Sequence, residues 1–242
     1  MRIKSKIQQK LLLVLMVFCL VTPLMPTQVI VHAIGEEKKE TNSEAKEKNK
    51  AKPQKVRELT EKRTKNTQTW RNSDLSETVE VYPSPIFYQE EGKKEWKRID
   101  NNLSDKINDQ SEKGKFKYQN KANKFKTFFG SNGDKELFKM KQGKYWLSYS
   151  IMNGSSTSEA KAKKDKVSYK DILKDTDLKF YLRAEGIKED IIFHNEPTFD
   201  SISYEIKTNL EIRQIEKKIE FFDPKSKEVV WNFTPPYLID AE

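Results

Sequence analysis

Glu136-Leu137-Phe138-Lys139-Met140-Lys141-Gln142-Gly143-Lys144-Tyr145-Trp146-Leu147-Ser148-Tyr149-Ser150-Ile151 is the stretch that decides the fold. Two apolar–polar alternations flank Gln142-Gly143-Lys144, the pattern of a β-hairpin with one face turned to a core. Aromatic and β-branched residues supply that face, as a pleated surface prefers. The pattern recurs in both directions. Upstream, Thr78-Val79-Glu80-Val81-Tyr82 alternates and is closed by Pro83 and Pro85. Ile86-Phe87-Tyr88 follows, then a turn at Glu91-Gly92-Lys93, then Trp96-Lys97-Arg98-Ile99. Lys126-Thr127-Phe128-Phe129 runs into Gly130-Ser131-Asn132-Gly133-Asp134, a strong turn signal. Downstream, Leu178 to Arg183 and Ile187 to His194 flank Glu185-Gly186, and Ile202 to Ile206 alternates with period two. Ile219-Glu220-Phe221-Phe222 and Val229 to Phe233 flank Asp223-Pro224-Lys225-Ser226-Lys227, a second hairpin loop. No long segment beyond the N-terminal stretch keeps a 3.6-residue period, and no internal repeat stands out. The many short strands predict an all-β fold, an antiparallel β-sandwich-like domain over residues 67–242.

The N-terminal stretch has a different grammar. Arg2, Lys4, Lys6 and Lys10 precede an unbroken apolar run from Leu11 to Val21. Pro23 and Pro26 break it, and Val31-His32-Ala33 places small residues where a signal peptidase needs them. Residues 1–33 therefore read as a secretory signal peptide cleaved after Ala33. The run is shorter than the roughly 20 residues that span a bilayer. An uncleaved anchor from Leu11 to Ala33 is opposed by Thr22, Gln28, His32 and both prolines. Residues 34–66 hold almost no large apolar side chain and predict a charged flexible linker, with a short helix start at Val56-Arg57-Glu58-Leu59. The one cysteine, Cys19, lies in the leader, so the exported chain has no disulfide, thiolate metal site or cysteine nucleophile. Export removes four uncompensated basic residues, and the net charge of +9 falls to +5. Charged residues make up 34% of the chain with both signs interspersed, a pattern that serves solubility. No basic stripe or nucleic-acid motif stands out, so nucleic acid is not an expected partner. Membrane contact is expected only through the leader before cleavage. The expected location is extracellular, secreted or cell-wall associated.

Candidate chemistry is sparse. Asp171, Asp175 and Asp177 alternate as calcium ligands can, yet the glycine and terminal glutamate of an EF-hand loop are missing; they read as a turn before a strand. Glu189 and Asp190 offer the residue types of the paired carboxylates in glycoside hydrolysis. Neighbours on a strand point to opposite faces, so they read instead as solvated charges at a hairpin edge. His194 is the single histidine left after export, too few for a histidine-based metal site. No nucleophile elbow, phosphate-binding loop or dinucleotide fingerprint occurs. The expectation is therefore no catalytic, cofactor or metal site, no cofactor, and no enzyme. Trp96, Tyr145, Trp146 and Trp231 are the candidate ligand-stacking aromatics, with burial in the core as the competing reading.

Three groups of residues carry a family resemblance. Tyr82-Pro83-Ser84-Pro85-Ile86-Phe87-Tyr88, Gly92 and Trp96-Lys97-Arg98-Ile99-Asp100 form the first. Val167 to Leu173, Asp175 to Phe180 and Gly186-Ile187-Lys188-Glu189-Asp190-Ile191-Ile192 form the second. Val229-Val230 through Pro235-Pro236-Tyr237 to Asp240-Ala241 form the third. Together they resemble, over residues 60–242, the N-terminal region of bacterial wall-associated RHS/YD-repeat proteins of the WapA-like group and of related secreted DNRLRE-domain proteins. The resemblance implies a non-catalytic β module of a Gram-positive, contact-dependent toxin-delivery protein. Its implied partners are cell-wall polymer or downstream RHS and DNRLRE modules. Such proteins continue with further strands, YD repeats and a toxin, none of which appears here, so a domain truncated at its C-terminus is expected. The alternatives are a secreted adhesin or carbohydrate-binding domain and, less supported, a secreted hydrolase using Glu189 or Asp190.

Overall fold

The computed structural model describes residues 52–133 and 135–239. The expected signal peptide with its expected cleavage point at Ala33, the expected linker residues 34–51, Asp134 and Asp240-Ala241-Glu242 lie outside the described residues. In chain order the first strands are β1 (Lys55–Glu58), β2 (Thr67–Asn72), β3 (Glu77–Val81), β4 (Phe87–Tyr88), β5 (Lys97–Arg98), β6 (Asp100–Ser104), β7 (Tyr118–Ala122), β8 (Lys126–Phe129) and β9 (Phe138–Gln142). They are followed by β10 (Tyr145–Ile151), β11 (Ala160–Lys163), β12 (Lys166–Leu173), β13 (Thr176–Leu182), β14 (Ile187–Phe193), β15 (Tyr204–Thr208), β16 (Glu211–Ile215), β17 (Lys218–Phe222) and β18 (Val229–Phe233). One 3-10 turn, Thr60–Lys62, separates β1 from β2. The fold is all-β and antiparallel.

Two sheets face each other. One has six strands in the order β15-β10-β9-β8-β7-β6, the other four in the order β11-β12-β13-β14. The decisive hairpin is β9–β10. Met140 pairs with Leu147 and Phe138 with Tyr149, so one face of the hairpin is apolar. Gly143 opens its two-residue loop at φ 56°, a left-handed dihedral that glycine adopts without steric cost. Across the interface, Val167 pairs with Phe180 and Tyr169 with Leu178. The ring of Phe180 lies 5.3 Å from that of Phe129 and 5.6 Å from that of Phe138, joining the sheets. Tyr169 is fully buried and donates its hydroxyl hydrogen to the Gly130 carbonyl at 2.7 Å, which ties β12 to the turn after β8. A three-stranded sheet, β16-β17-β18, adds Phe221 and Phe233 to the same core with ring centroids 4.7 Å apart.

The outer face of the six-stranded sheet is covered rather than solvated. Residues 105–117 cross it as a strap. Phe116 packs on Phe128 at 5.6 Å, and buried Glu112 pairs with Lys139 at 2.7 Å. A further small sheet, β1-β2-β3, uses part of the predicted linker. Val56 to Glu58 form a strand rather than a helix start, with Glu58 opposite Trp70, and Leu59 is buried. Folded structure thus begins by Lys55, inside the stretch read as flexible. The charged sequence Lys-Val-Arg-Glu hid this, because an edge strand is free to carry charge.

Candidate functional site

The period-two alternation Ile187-Glu189-Ile191 turns Glu189 inward on β14, opposite Phe180. Its carboxylate is fully buried between the sheets. The hydroxyl of Tyr149 on β10 donates to Oε2, and that of Tyr204 on the neighbouring β15 donates to Oε1 at 2.7 Å. Burial pushes the carboxyl up, the two phenol donors pull it down, and adjacent Asp190 adds to the rise; the result is about 7. Burial and the carboxylate also drive both phenols well above the usual tyrosine range, so they stay neutral donors. The reading of Glu189 as a solvated edge charge is corrected: it is a core carboxyl held by the opposite sheet. Asp190 faces the other way and pairs with Lys188 at 2.9 Å.

In the β12–β13 hairpin, Asp171 and Asp175 take turn positions and Asp177 acts on the local backbone. Asp171 at φ 51° and Asp175 at φ 52° occupy left-handed positions where that hairpin bulges and turns. Asp177 accepts the Asp171 backbone N–H at 3.0 Å and lies 3.2 Å from His194 Nε2. Burial works against its ionisation, but these partners hold its carboxyl below the usual range. Among the described residues, no group of three or more histidine, cysteine, aspartate or glutamate side chains is placed to hold a metal ion.

An open cleft of about 140 Å³ lies between the β4–β5 hairpin, the β7–β8 turn and the segment after β13. Phe87, Tyr88 and Trp96 supply its apolar lining, and the ion pair of Lys65 with Glu185 stands at the same cleft. Asn123 is buried there, with its amide donating to the Asn101 side chain and the Ala184 carbonyl at 3.1 Å each. Arg63 fixes the hairpin from behind: it donates to the Trp96 carbonyl at 3.1 Å and lies 4.6 Å from the Phe87 ring. The half-buried Trp96 indole N–H has no partner among the described residues.

The four candidate aromatics do not share one surface. Trp96 lines the cleft and the other three do not. Tyr145 donates to Asp223 at 2.8 Å, an oxygen that Lys144 also reaches at 2.9 Å. Trp146 lies under the Lys139 ammonium at 5.2 Å. Trp231 sits opposite Phe221 and packs on the core. Sequence reasoning found Trp96 from its residue type. It missed Asn123, Lys65 and Glu185, which are up to 120 residues apart and converge only through the fold.

Comparison with known proteins places this geometry in context. The chain is 27% identical over 192 residues to the tRNA nuclease WapA of Bacillus subtilis strain 168 and to the tRNA(Glu)-specific nuclease WapA of Bacillus subtilis subsp. natto, a match to 76% of the chain. It spans 8% of the length of those relatives. It is 25% identical over 244 aligned residues to a wall-associated protein of Geobacillus stearothermophilus, covering 94% of the chain and 93% of that relative. No family model and no solved structure matches. The WapA-like resemblance of the motifs is thus homology across most of the chain, and it agrees with an extracellular, wall-associated location. The same finding overturns the expectation that the chain stands outside the enzyme classes, because its Bacillus relatives are named as nucleases.

Proposed function

We propose that this chain is the wall-associated module of a WapA-type protein, exported by its leader and held at the cell wall by the surface of its β-sandwich. The supporting observation is the end-to-end similarity to the Geobacillus wall-associated protein. The nuclease activity of the Bacillus relatives belongs to polypeptides of which the chain matches 8%. On this reading, the module serves such an enzyme by positioning it in the wall. Two features of the fold suit that task. The core is closed by aromatic contacts from both sheets, and it needs no disulfide to persist outside the cell. The test uses the exported chain carrying a fluorescent reporter, mixed with purified Gram-positive wall sacculi. The chain is expected to sediment with the sacculi well above the reporter alone. Equal sedimentation of the two would overturn the proposal.

A further inference from the structure

The cleft beside Trp96 combines a flat aromatic surface with unneutralised positive charge. Lys124 lines the cleft, is exposed, and is not ion-paired among the described residues. Lys126, two residues on, is half-buried, donates to the Lys121 carbonyl at 2.9 Å and is not part of the cleft lining. Burial lowers its ammonium below the usual lysine range; Glu90 opposes that shift and Lys97 reinforces it. Glu90 is itself engaged by Lys97 at 2.8 Å. Lys124 therefore gives the cleft one cation without an ion pair among the described residues, beside the mutually neutralised Lys65–Glu185 pair, a condition under which an anionic ligand is drawn in.

Size narrows the ligand. About 140 Å³ is well below the roughly 300–1,000 Å³ of a site that encloses a whole small molecule. Such a space takes one unit of a longer polymer and leaves the rest in solvent. The apolar floor with polar groups at its margin is chemistry suited to a sugar ring, whose C–H face stacks on an aromatic while its hydroxyls need donors and acceptors.

We propose that this cleft binds one ring of a negatively charged glycan, stacked on Trp96, with its hydroxyls on the Lys65–Glu185 pair and its anionic group on Lys124. The inference rests on the wall-associated reading and names the ligand class for it. The test titrates the intact exported chain with trigalacturonic acid, with its methyl ester, and with poly(glycerol phosphate), following tryptophan fluorescence and calorimetry. Trigalacturonate should bind at least about tenfold more tightly than the neutral ester, the factor that one lost charged contact carries. Trp96→Ala should abolish binding. Lys124→Gln should bind trigalacturonate no better than wild type binds the ester, and Trp146→Ala should leave affinity unchanged. Because Lys124 is exposed, Lys124→Gln alone tests the charge without threatening the fold. Equal affinity for acid and ester, undiminished binding by folded Trp96→Ala, or equal binding of the ringless glycerol phosphate polymer would overturn the site. If wild type and Trp96→Ala are retained equally on sacculi, the cleft fails and the wall-associated reading stands. If wild type itself is not retained, that reading fails first.

Discussion

The carboxyl of Glu189 sits between the sheets with two phenols as its donors, and this fixes how the protein should respond to pH. Its folded value of about 7 lies above the ordinary 4.5 of an exposed glutamate. Between those values the folded chain keeps a proton that the unfolded chain releases, so stability falls as pH rises. The contribution is fully present below about pH 4.5 and is lost as pH passes about 7. At about 1.4 kcal/mol per pH unit, the whole effect is on the order of 3 kcal/mol. Asp109 works in the opposite sense: despite burial, Lys141 and Ser111 draw its carboxyl down to about 2. Its contribution is present above about pH 3.8 and is lost as pH falls through 2. Urea midpoints should therefore drop between pH 5 and pH 8, and Glu189→Gln should flatten that slope while staying close to wild type at pH 5. A wild-type midpoint constant across this range would show that no buried proton is carried there. The reading of Glu189 as a solvated edge charge passes over Ile187 and Ile191, which flank it at spacing two and mark an inward face. Its donors leave no such local signal. Tyr204 lies 15 residues away and Tyr149 lies 40 away, and only sheet packing brings them to the same carboxylate.

Among the elements, the hairpins and the strap illustrate opposite degrees of legibility. The β9–β10 hairpin was readable because alternation and turn chemistry agreed at Gln142-Gly143-Lys144. The strap over residues 105–117 carries almost no apolar signal beyond Ile107 and Phe116, so nothing in its own sequence announced a covering role. The clue lay in β8. Phe128 and Phe129 are adjacent, so they point to opposite faces, and both are buried. A second apolar layer must therefore cover the outer face. Glu112 fastens it: Oε1 meets Lys139 at 2.7 Å and Lys141 at 3.5 Å, while Oε2 is buried without a partner among the described residues. Removing one partner of a buried pair costs about 3–5 kcal/mol. The Lys139 side chain keeps 15% exposure, so a loss of about 2 kcal/mol is expected for Glu112→Ala. Hydrogen exchange should quicken in residues 105–117 and remain slow in β13, which lies in the opposite sheet. Uniform acceleration throughout the sandwich would mean the strap is integral to the core. By contrast, Phe180→Ala removes the ring that joins both sheets and should cost about 3–5 kcal/mol, measured as a global shift in the urea midpoint.

At the scale of the whole molecule, the aromatic core and the β1-β2-β3 sheet follow different rules. The core hides its apolar surface between two sheets. The small sheet leaves Val79 56% and Val81 75% exposed on one face of β3. Register places them opposite Thr69 and Thr67, so the two valines form a continuous apolar strip along an edge strand. An edge with free backbone groups and exposed valines is a template for another strand, and natural edges usually carry lysine or a bulge to prevent that pairing. The exported chain should therefore self-associate as its concentration rises, through β3 rather than through the core. Val81→Lys places a charge on the strip without touching a buried contact. Sedimentation velocity should show the wild-type chain gaining mass over the micromolar range and the variant remaining monomeric, with identical urea midpoints at low concentration. Association that persists unchanged in the variant would exonerate β3. It would shift attention to β15, the edge of the six-stranded sheet that carries Tyr204 and through it bears on Glu189.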